Sequence, residues 1–520
     1  MISLKAFLRL LGRIVHAFTR SERMVVLLLA GVFFASLGQL FIATVETPNT
    51  QEKGLYTEGL VGQVKLLNPL FVDFNDVDRD IGALLFSGLV KYDPLVQNFV
   101  PDLAEFERSE DDTTYRFTLK KDLFWHDGKP VTADDVYFTF HDVIQDPGFK
   151  NTPLRRAFEG IEIKKVDAKT ITFTLPKPNS FFISYLTTGM LFEGQNQIQI
   201  EAFDLYYAEK ARIGTIRFLL FSDFASLIEN HSSLHGIARI RGEEFLKEIP
   251  DDRFTRYTYT LPQSVSVFFN LARPFTKQKH IRQALMKAVD KDLIVQNVGA
   301  SKRIDRLYFS QAQNEWIHTY NATEAKKILE DLGWKMKDDG FRHNNTDQIL
   351  TLTLLSKRFP EGSPIEDEMK LVTDMLRNFY QTVGIHINVQ RESGDTFNQF
   401  LEKREYDLLL TGQSLGYNFD TYSFWHSTQR GSGKLNFSEL QSFRVDSLLE
   451  NIQTVFDSKR KKQKMDQLEQ LISEEIPALF LYQPVYTYAI DKRVSGFSAG
   501  NLSFSSDRFS HFTSLVMKKR

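Results

Sequence analysis

The amino-acid sequence predicts an α/β protein of two or three lobes that contains a β-rich section and is preceded by one transmembrane helix. Three observations lead to this fold class. The chain has 520 residues, which is too long for one ordinary hydrophobic core and favours two or three lobes. An uncharged apolar run stands near the N-terminus. After it, alternating patterns typical of strands are followed by patterns typical of amphipathic helices.

The uncharged run covers residues 24–45, and its 22 residues are enough to span about 30 Å of hydrocarbon as a helix. Five cations and one acid precede it, namely Lys5, Arg9, Arg13, Arg20, Arg23 and Glu22. The positive-inside rule therefore predicts that residues 1–23 are cytoplasmic and that the bulk of the chain is extracytoplasmic. The rival interpretation is a cleaved signal peptide, which normally ends in a small-x-small site. Because Phe41-Ile42-Ala43 fits such a site poorly, we expect an uncleaved anchor.

Composition excludes several classes of function. The chain contains no cysteine, which excludes disulfides, thiolate metal ligands, a cysteine nucleophile and a lipidated N-terminal cysteine. The formal net charge is -2 and includes a basic N-terminal tail, so the remainder is moderately acidic, which argues against nucleic acid as a partner. A G-x-S-x-G motif at residues 412–416 is followed by turn-like residues instead of the helix that a hydrolase requires. We therefore predict no enzyme activity, no cofactor and no metal site.

The part of the chain after the anchor begins with a polar linker, residues 46–54. A helical pattern then covers residues 80–89, and a β-rich section extends to residue 178. Inside that section, Thr132 with Asp135 three positions later has the form of a helix N-terminus with acidic residues in its first turn.

Three motifs follow one another along this β-rich section. PDLAE stands at Pro101 to Glu105, TYRFTL at Thr114 to Leu119 and WHDGKPVTADDV at Trp125 to Val136. This string resembles the signature region of the large extracytoplasmic solute-binding proteins of ABC importers, solute-binding family 5, which includes oligopeptide-, dipeptide- and nickel-binding members. Similar matches follow at residues 265–290, 325–334, 384–385, 406–410, 445–446, 477–482 and 494–497. The resemblance covers about residues 55–497.

The resemblance has one gap. Family members usually carry a Gly-rich strand entry, "GTGPY", after the β-rich section, and no such motif is found between Leu186 and Tyr206. The interval is also short, which is consistent with a deletion that trims a sheet in the first lobe. Any binding residue that the family places in this segment is therefore in doubt.

The resemblance implies a type II fold similar to periplasmic binding proteins. Lobe I is expected over residues 55–268 with the β-rich subdomain at about 86–178, lobe II over 269–490, and a return to lobe I over 491–520. The implied function is to capture peptides by hinge closure and to deliver them to an ABC permease with its ATPase subunits. The alternatives are a degenerate receptor or scaffold, and a binder of a non-peptide ligand such as a nickel complex or a sugar.

The loop after residues 406–410 is the predicted ligand-binding segment. In the family this loop commonly has the form "D-Y-x-DP-x-x-F", and in peptide binders its first aspartate meets the α-ammonium of the peptide. Alignment places Tyr417 at that first acid, so the ammonium anchor is either lost or moved to Asp420. Polar and aromatic side chains are the mixture expected of a mostly apolar pocket with a few oriented polar groups. The candidate ligand-binding residues are Tyr417, Asn418, Asp420, Tyr422 and Trp425 of this loop, together with Asn270.

Overall fold

A computed structural model describes residues 54–189, 199–203, 205–306, 319–361, 363–417 and 419–518. Residues Leu55–Arg520 group into one compact unit. The predicted cytoplasmic tail 1–23, the predicted anchor 24–45, nearly all of the linker and Asn418 lie outside the described residues. Among the described residues, no helix combines the length and the apolarity that crossing a membrane requires.

The described residues form strands of two to fourteen residues. In chain order they are β1 (Gly54–Val61), β2 (Val90–Asp93), β3 (Asn98–Pro101), β4 (Ala104–Arg108), β5 (Thr114–Leu119), β6 (Glu162–Lys165), β7 (Thr170–Thr174), β8 (Gln199–Glu201), β9 (Ile213–Phe221), β10 (Gly236–Ile240), β11 (Phe254–Thr260), β12 (Gln263–Phe269), β13 (Ser301–Arg303), β14 (Lys335–Met336), β15 (Arg342–His343), β16 (Thr351–Lys357), β17 (His386–Glu392), β18 (Leu408–Ser414), β19 (Ala478–Asp491), β20 (Val494–Ser495) and β21 (Val516–Met517).

The helices of the described residues are, in chain order, α1 (Asp76–Leu85), α2 (Ala133–Tyr137), α3 (Thr152–Ala157), α4 (Phe224–Glu229), α5 (Glu243–Glu248), α6 (Lys279–Ala288), α7 (Lys291–Val298), α8 (Ala322–Asp331), α9 (Pro364–Thr382), α10 (Gly394–Lys403), α11 (Tyr422–Trp425), α12 (Phe443–Gln453) and α13 (Ser458–Glu475). A π-helical segment, Phe138–Ile144, continues α2. Near the C-terminus, two short 3-10 turns cover Ser505–Phe509 and Phe512–Ser514.

The main sheet of the described residues has eleven strands in the order β17-β16-β18-β12-β19-β10-β1-β9-β8, and β11 and β13 also pair with β19. The 14-residue strand β19 is the connecting element. Its first half runs antiparallel to β12, with Val267 opposite Leu479. Its second half runs antiparallel to β10, with Gly236 opposite Ile490. The strand β19 also pairs with β13, where Arg303 lies opposite Tyr482. It therefore joins strands of predicted lobe I to a strand of predicted lobe II.

A separate four-stranded antiparallel sheet has the order β4-β5-β7-β6. Alternate residues of β5 are buried, as the apolar–polar alternation of its sequence predicts. Phe117 of β5 packs edge-on against Phe173 of β7, and Phe140 packs against the same ring. This sheet falls inside the predicted β-rich range, and the domain boundaries stay a prediction.

Helix α1 positions the candidate site and is fixed at its start by side chains. Asn75 caps it by accepting a hydrogen bond from the backbone nitrogen of Val77 over 3.2 Å. Asp78 in its first turn accepts hydrogen bonds from the backbone nitrogens of Lys65 and Leu66, at 3.0 and 2.8 Å. These contacts hold the loop after β1 against the helix.

A buried ionic cluster ties the C-terminal turn to β1 and α1. Arg508 donates to Glu58 over 3.0 Å and makes two further bonds to Asp80, at 2.9 and 3.1 Å. All three side chains are buried, with residue exposures of 3%, 0% and 1% respectively. Because a buried charge requires a partner, this cluster fixes the place of the turn that contains residues 505–509.

Candidate functional site

A cavity of about 690 Å³ lies among residues of α1, of β2, β8 and β9, and of the C-terminal turns. The residue of the predicted ligand-binding loop that lines it is Tyr417. Its aromatic and charged lining includes Arg79, Tyr92, Asp102, Trp125, Tyr417 and Asp507. A wall that combines apolar rings with charged groups is compatible with a small-molecule or peptide site.

Tyr417 brings the predicted loop against the C-terminal turn. Its hydroxyl donates to Asp507 Oδ1 over 2.5 Å. Its ring lies 4.9 Å from the ring of Tyr92 and 4.8 Å from that of Phe504, centroid to centroid. Phe99 approaches it edge-on at 6.1 Å. Tyr417 is therefore held by one charged hydrogen bond and a cage of three rings.

Asp507 is a buried carboxylate on the cavity wall, with 4% of its surface exposed. Its Oδ2 accepts hydrogen bonds from the backbone nitrogens of Ser503 and Phe504, each over 2.8 Å. Burial raises the pKa of Asp507 to about 6, although the hydrogen bonds from Phe504 and Tyr417 oppose the shift. At neutral pH, which is above this pKa, the buried carboxyl group is therefore mainly ionised.

Asp102 is a second buried carboxylate on the wall, with 6% of its surface exposed. The hydroxyl of Tyr207 donates to it over 2.7 Å and lies 3.0 Å from Ser87 Oγ. The ammonium of Lys91 is 3.8 Å from the same carboxylate. Burial raises the pKa of Asp102, and the bond from Tyr207 and the charge of Lys91 oppose that shift. Among the described residues, Asp102 thus has an ionic partner in Lys91, whereas no salt bridge involves Asp507.

Asp420 lies outside the lining of this cavity. Its carboxylate accepts hydrogen bonds from the backbone nitrogen of Tyr422 over 2.9 Å and from the amide of Gln453 over 3.2 Å. Burial raises its pKa, and the nearby charge of Lys461 opposes the shift. Asp420 thus fixes the start of α11 and joins it to the end of α12. The carboxylate of Asp420, which was expected to be free to meet a ligand, is therefore engaged in contacts within the protein.

Two other predicted residues are core residues in the structure. Trp425 is 1% exposed and packs on the rings of Phe268 and Phe480. Asn270 is fully buried, and its amide group donates to the backbone oxygens of Arg404 and Tyr406 at 3.2 and 3.0 Å. These contacts hold the strand ends of β12 and β18 and leave neither side chain on the cavity wall.

Two predicted ligand-binding residues remain, Tyr422 and Asn418. Tyr422 stacks on His426, with 4.1 Å between ring centroids, and does not line the cavity. Asn418 lies outside the described residues. Of the six predicted ligand-binding residues, the structure thus places Tyr417 on the wall, and their role in binding stays a prediction.

Sequence reasoning missed the two buried carboxylates and the aromatic partners of Tyr417. Asp102 stands inside the PDLAE motif, which indicated the family resemblance but did not indicate a buried carboxylate. Asp507 lies beyond residue 497, where the resemblance ends, and nothing in its local sequence distinguishes it. Its importance emerges only from a contact with a residue 90 positions away.

A second cavity has a volume of about 590 Å³. Its lining includes Phe99, Arg108, Tyr115 and Phe456. Arg108 lies over the Phe456 ring, 3.9 Å from its centroid. Phe99 lines this second cavity and contacts Tyr417, which lines the first. The two spaces therefore approach each other at the Tyr417 cage.

The sequence matches the profile of bacterial extracellular solute-binding proteins, family 5 Middle, over residues 98–192 and 190–435. It is 23% identical to the oligopeptide-binding protein AppA of Bacillus subtilis over 512 residues, covering 86% of this chain and 89% of the relative. It is also 23% identical to the dipeptide-binding protein of Escherichia coli over 488 residues, covering 79% of this chain and 86% of the relative.

Solved structures show the same architecture. AppA from Bacillus subtilis in complex with a nonapeptide is 20% identical with a TM-score of 0.72, covering 90% of this chain and 99% of that one. NikZ from Campylobacter jejuni in complex with Ni(L-His) is 20% identical with a TM-score of 0.73, covering 89% and 99%. These similarities confirm the predicted two-lobed α/β fold of the periplasmic-binding-protein type.

Proposed function

Because the chain belongs to the bacterial extracellular solute-binding proteins of family 5, we propose that it captures peptides outside the cytoplasm. It then delivers them to the permease of an ABC importer, whose ATPase subunits supply the energy. The main observation behind this proposal is the family match together with relatives whose names specify oligopeptide and dipeptide binding. The protein binds and releases its ligand without catalysing a reaction.

The cavity beside Tyr417 supports this proposal on physical grounds. Its volume of about 690 Å³ is within the usual range of roughly 300–1,000 Å³ for ligand pockets. Rings such as Tyr92, Trp125 and Phe504 offer apolar surface, whereas Asp102 and Asp507 offer oriented charge. A peptide combines these same two chemistries, since it has a charged terminus and varied side chains.

Capture requires the ligand to be enclosed and later released, which two-lobed proteins achieve by bending at a hinge. The long strand β19 pairs with β13 of predicted lobe II and with β10 of predicted lobe I. Tyr417 and Asp507 come from the two predicted lobes and meet at 2.5 Å. We assign the hinge to β19. Contacts between the two lobes, such as the hydrogen bond from Tyr417 to Asp507, hold the lobes closed.

We further propose that residues 24–45 attach the protein to the membrane, because they are uncharged and follow a basic tail. The test is cell fractionation followed by protease treatment of spheroplasts. We expect the full-length protein in the membrane fraction and its bulk to be digested from outside. Recovery of a soluble form that begins near residue 44 would contradict the anchor, and a protected bulk would contradict the orientation.

The ligand class is tested by thermal unfolding of residues 50–520 in the presence of candidate ligands. Binding to the folded state alone adds about 2.7 kcal/mol at a ligand concentration 100 times the dissociation constant, so a rise in melting temperature is expected. Pools of peptides with two to eight residues are compared with sugars and with nickel and histidine. A response to sugars or nickel without one to peptides would reject the peptide assignment. If no candidate ligand raises the melting temperature, the result would favour a receptor or scaffold.

A further inference from the structure

Tyr417 lies in a socket whose members all belong to predicted lobe I or to the C-terminal return to it. The members are the rings of Tyr92, Phe99 and Phe504 and the carboxylate of Asp507. The ring centroids lie 4.9, 6.1 and 4.8 Å from that of Tyr417, which is the favourable range for aromatic pairs. Among the described residues that line the first cavity, Tyr417 is the one from predicted lobe II. One lobe therefore forms the socket, and the other lobe supplies the ring inside it.

The polar end of the socket is a carboxylate that is held in one orientation. Asp507 Oδ2 accepts hydrogen bonds from the backbone nitrogens of Ser503 and Phe504, and Oδ1 accepts one from the Tyr417 hydroxyl over 2.5 Å. Burial and the charge of Asp507 raise the pKa of Tyr417 well above its usual value, so its hydroxyl stays protonated and donates. The socket therefore matches a side chain that combines an aromatic ring with a terminal hydroxyl donor.

The loop that carries Tyr417 reaches the socket through a close backbone contact. Gly416 has a φ of +53°, and a Cβ at this position would lie 2.5 Å from Cζ of Phe504. Because glycine has no Cβ, the loop can adopt this conformation and lie directly against the Phe504 ring. These contacts join the two predicted lobes, so opening at the hinge withdraws Tyr417 from the socket.

We propose that this socket recognises a tyrosine side chain of a bound peptide and that Tyr417 is its internal competitor. The socket borders the cavity assigned to the ligand, since Tyr92, Phe504 and Asp507 line that cavity. A tyrosine of the ligand meets the same rings and the same Oδ1 acceptor that Tyr417 uses, and it takes the place of Tyr417. This inference rests on the proposed function and names the side chain that the site selects.

Competition with Tyr417 weakens the apparent affinity for the ligand. When a ligand binds one of two states, its apparent dissociation constant is the intrinsic constant divided by the fraction of the competent state. Tyr417→Ala removes the competitor and leaves the four members of the socket in place. The preference for tyrosyl over alanyl peptides should therefore rise by about 10-fold or more in this variant. A purely structural role of Tyr417 would lower the binding of both peptides instead.

The test measures peptide binding to the full-length protein by calorimetry. The peptides are pentapeptides of alanine and glycine that carry tyrosine, phenylalanine or alanine at each position in turn. A hydrogen bond to a charged group distinguishes tyrosine from phenylalanine, so wild type should prefer the tyrosyl peptide by roughly 10- to 100-fold. Asp507→Asn keeps the size of the side chain and removes its charge, and it should lower this preference to about 3-fold.

The matched control is Tyr320→Ala, which removes a tyrosine of predicted lobe II from outside the cavity lining. Tyr320 is 47% exposed and packs on Phe379, with 6.4 Å between ring centroids. This variant should keep the wild-type preferences. A rise in the preference for tyrosyl peptides equal to that of Tyr417→Ala would overturn the role of Tyr417 as the competitor.

The other outcomes separate this inference from the proposed function. If wild type binds none of the peptides, both fail. If wild type binds tyrosyl, phenylalanyl and alanyl peptides equally, the proposed function stands and the tyrosine socket is overturned. If Tyr417→Ala does not raise the preference for tyrosyl peptides, the competition is overturned. Should Tyr417→Ala fail to fold, the comparison of tyrosyl with phenylalanyl peptides in wild type and in Asp507→Asn still decides whether the socket reads the hydroxyl.

Discussion

The guanidinium of Arg241 donates to a carboxylate oxygen of Glu368 over 2.7 Å. The hydroxyl of Tyr482 donates to the other oxygen over 2.6 Å. Arg241 follows β10 in predicted lobe I, whereas Glu368 belongs to α9 in predicted lobe II. Their side chains are only 21% and 12% exposed, so solvent screens this ion pair less than it screens a surface pair. The contact links the two predicted lobes beside β19.

We predict that this pair contributes measurable coupling between the lobes. Arg241→Gln and Glu368→Gln, made singly and together, should give a coupling energy of about 0.5–3 kcal/mol in urea unfolding. The control is the exposed pair of Lys462 and Asp466 on α13, at 3.3 Å, for which about 0.3–0.5 kcal/mol is expected. Additive effects of the two glutamine substitutions would show that the Arg241 contact carries no coupling.

A second prediction concerns the buried cluster of Arg508, Glu58 and Asp80. Arg508→Met leaves Glu58 buried without its cation and leaves Asp80 with Arg239, 2.8 Å away, as its remaining ion-pair partner. The free energy of unfolding should therefore fall by about 3–5 kcal/mol. Addition of Glu58→Gln should recover part of this loss, because it removes the carboxylate that has lost its cation. Denaturant unfolding followed by circular dichroism provides the measurement.

The matched control for that experiment is Arg444→Met. Arg444 is 67% exposed and lies 3.5 Å from Glu474, so its loss should change stability by less than about 0.5 kcal/mol. Similar effects of the two arginine substitutions would contradict the buried ionic cluster as a source of stability.

The sequence predicted the architecture because its signals were local and ordered. Alternation in residues 114–119 predicted strand β5, and Thr132 with Asp135 predicted the start of α2. In the structure, Asp135 accepts a hydrogen bond from the backbone nitrogen of Thr132 over 2.7 Å. Such features involve residues a few positions apart, where sequence patterns constrain geometry directly.

The candidate site could be predicted only in part because its contacts are distant in sequence. The loop pattern pointed to Tyr417, which does line the cavity, but it also offered Asp420 as a free carboxylate. In the structure, Asp420 accepts a hydrogen bond from Gln453, 33 positions away in the sequence. Tyr417 donates a hydrogen bond to Asp507, which is 90 positions away. Which carboxylate is engaged and which faces a cavity depends on tertiary packing, and no local pattern encodes it.

A third prediction uses Gly236 of β10, which lies opposite Glu58 in the parallel pair with β1. A Cβ at this position would overlap the carboxylate of Glu58 and the hydroxyl of Tyr56. Gly236→Ala should therefore lower the free energy of unfolding by about 1–3 kcal/mol or more, as overpacking does. The control is Gly412→Ala, since a Cβ there would meet its nearest atom, Ser264 O, at 3.7 Å. Equal tolerance at the two glycines would contradict the close packing around Glu58.

The last prediction concerns acid unfolding and Asp491, which is 1% exposed at the end of β19. Burial alone would raise the pKa of this carboxyl, but hydrogen bonds from Arg493 and Arg253 hold it at about 2. Arg493 donates to it at 2.6 and 2.9 Å, and Arg253 donates at 3.1 Å. Because the folded pKa is below the unfolded value of about 3.9, the folded state binds fewer protons between these values. The stabilisation from Asp491 should therefore be complete above about pH 4 and should disappear as the pH falls toward 2.

Asp491→Asn tests this directly by urea unfolding at a series of pH values. At pH 7 the variant should be less stable by roughly 1.5–3 kcal/mol, the worth of hydrogen bonds to a charged group. The difference between wild type and variant should shrink as the pH falls from about 4 to 2, because protonation removes the same charge that the substitution removes. Taking the difference cancels titrating groups that both proteins share, among them Asp507, whose raised pKa makes stability fall as the pH rises from about 4 to 6. A difference that stays constant down to pH 2, or one that grows on acidification, would show that Asp491 is not held ionised by its two arginines.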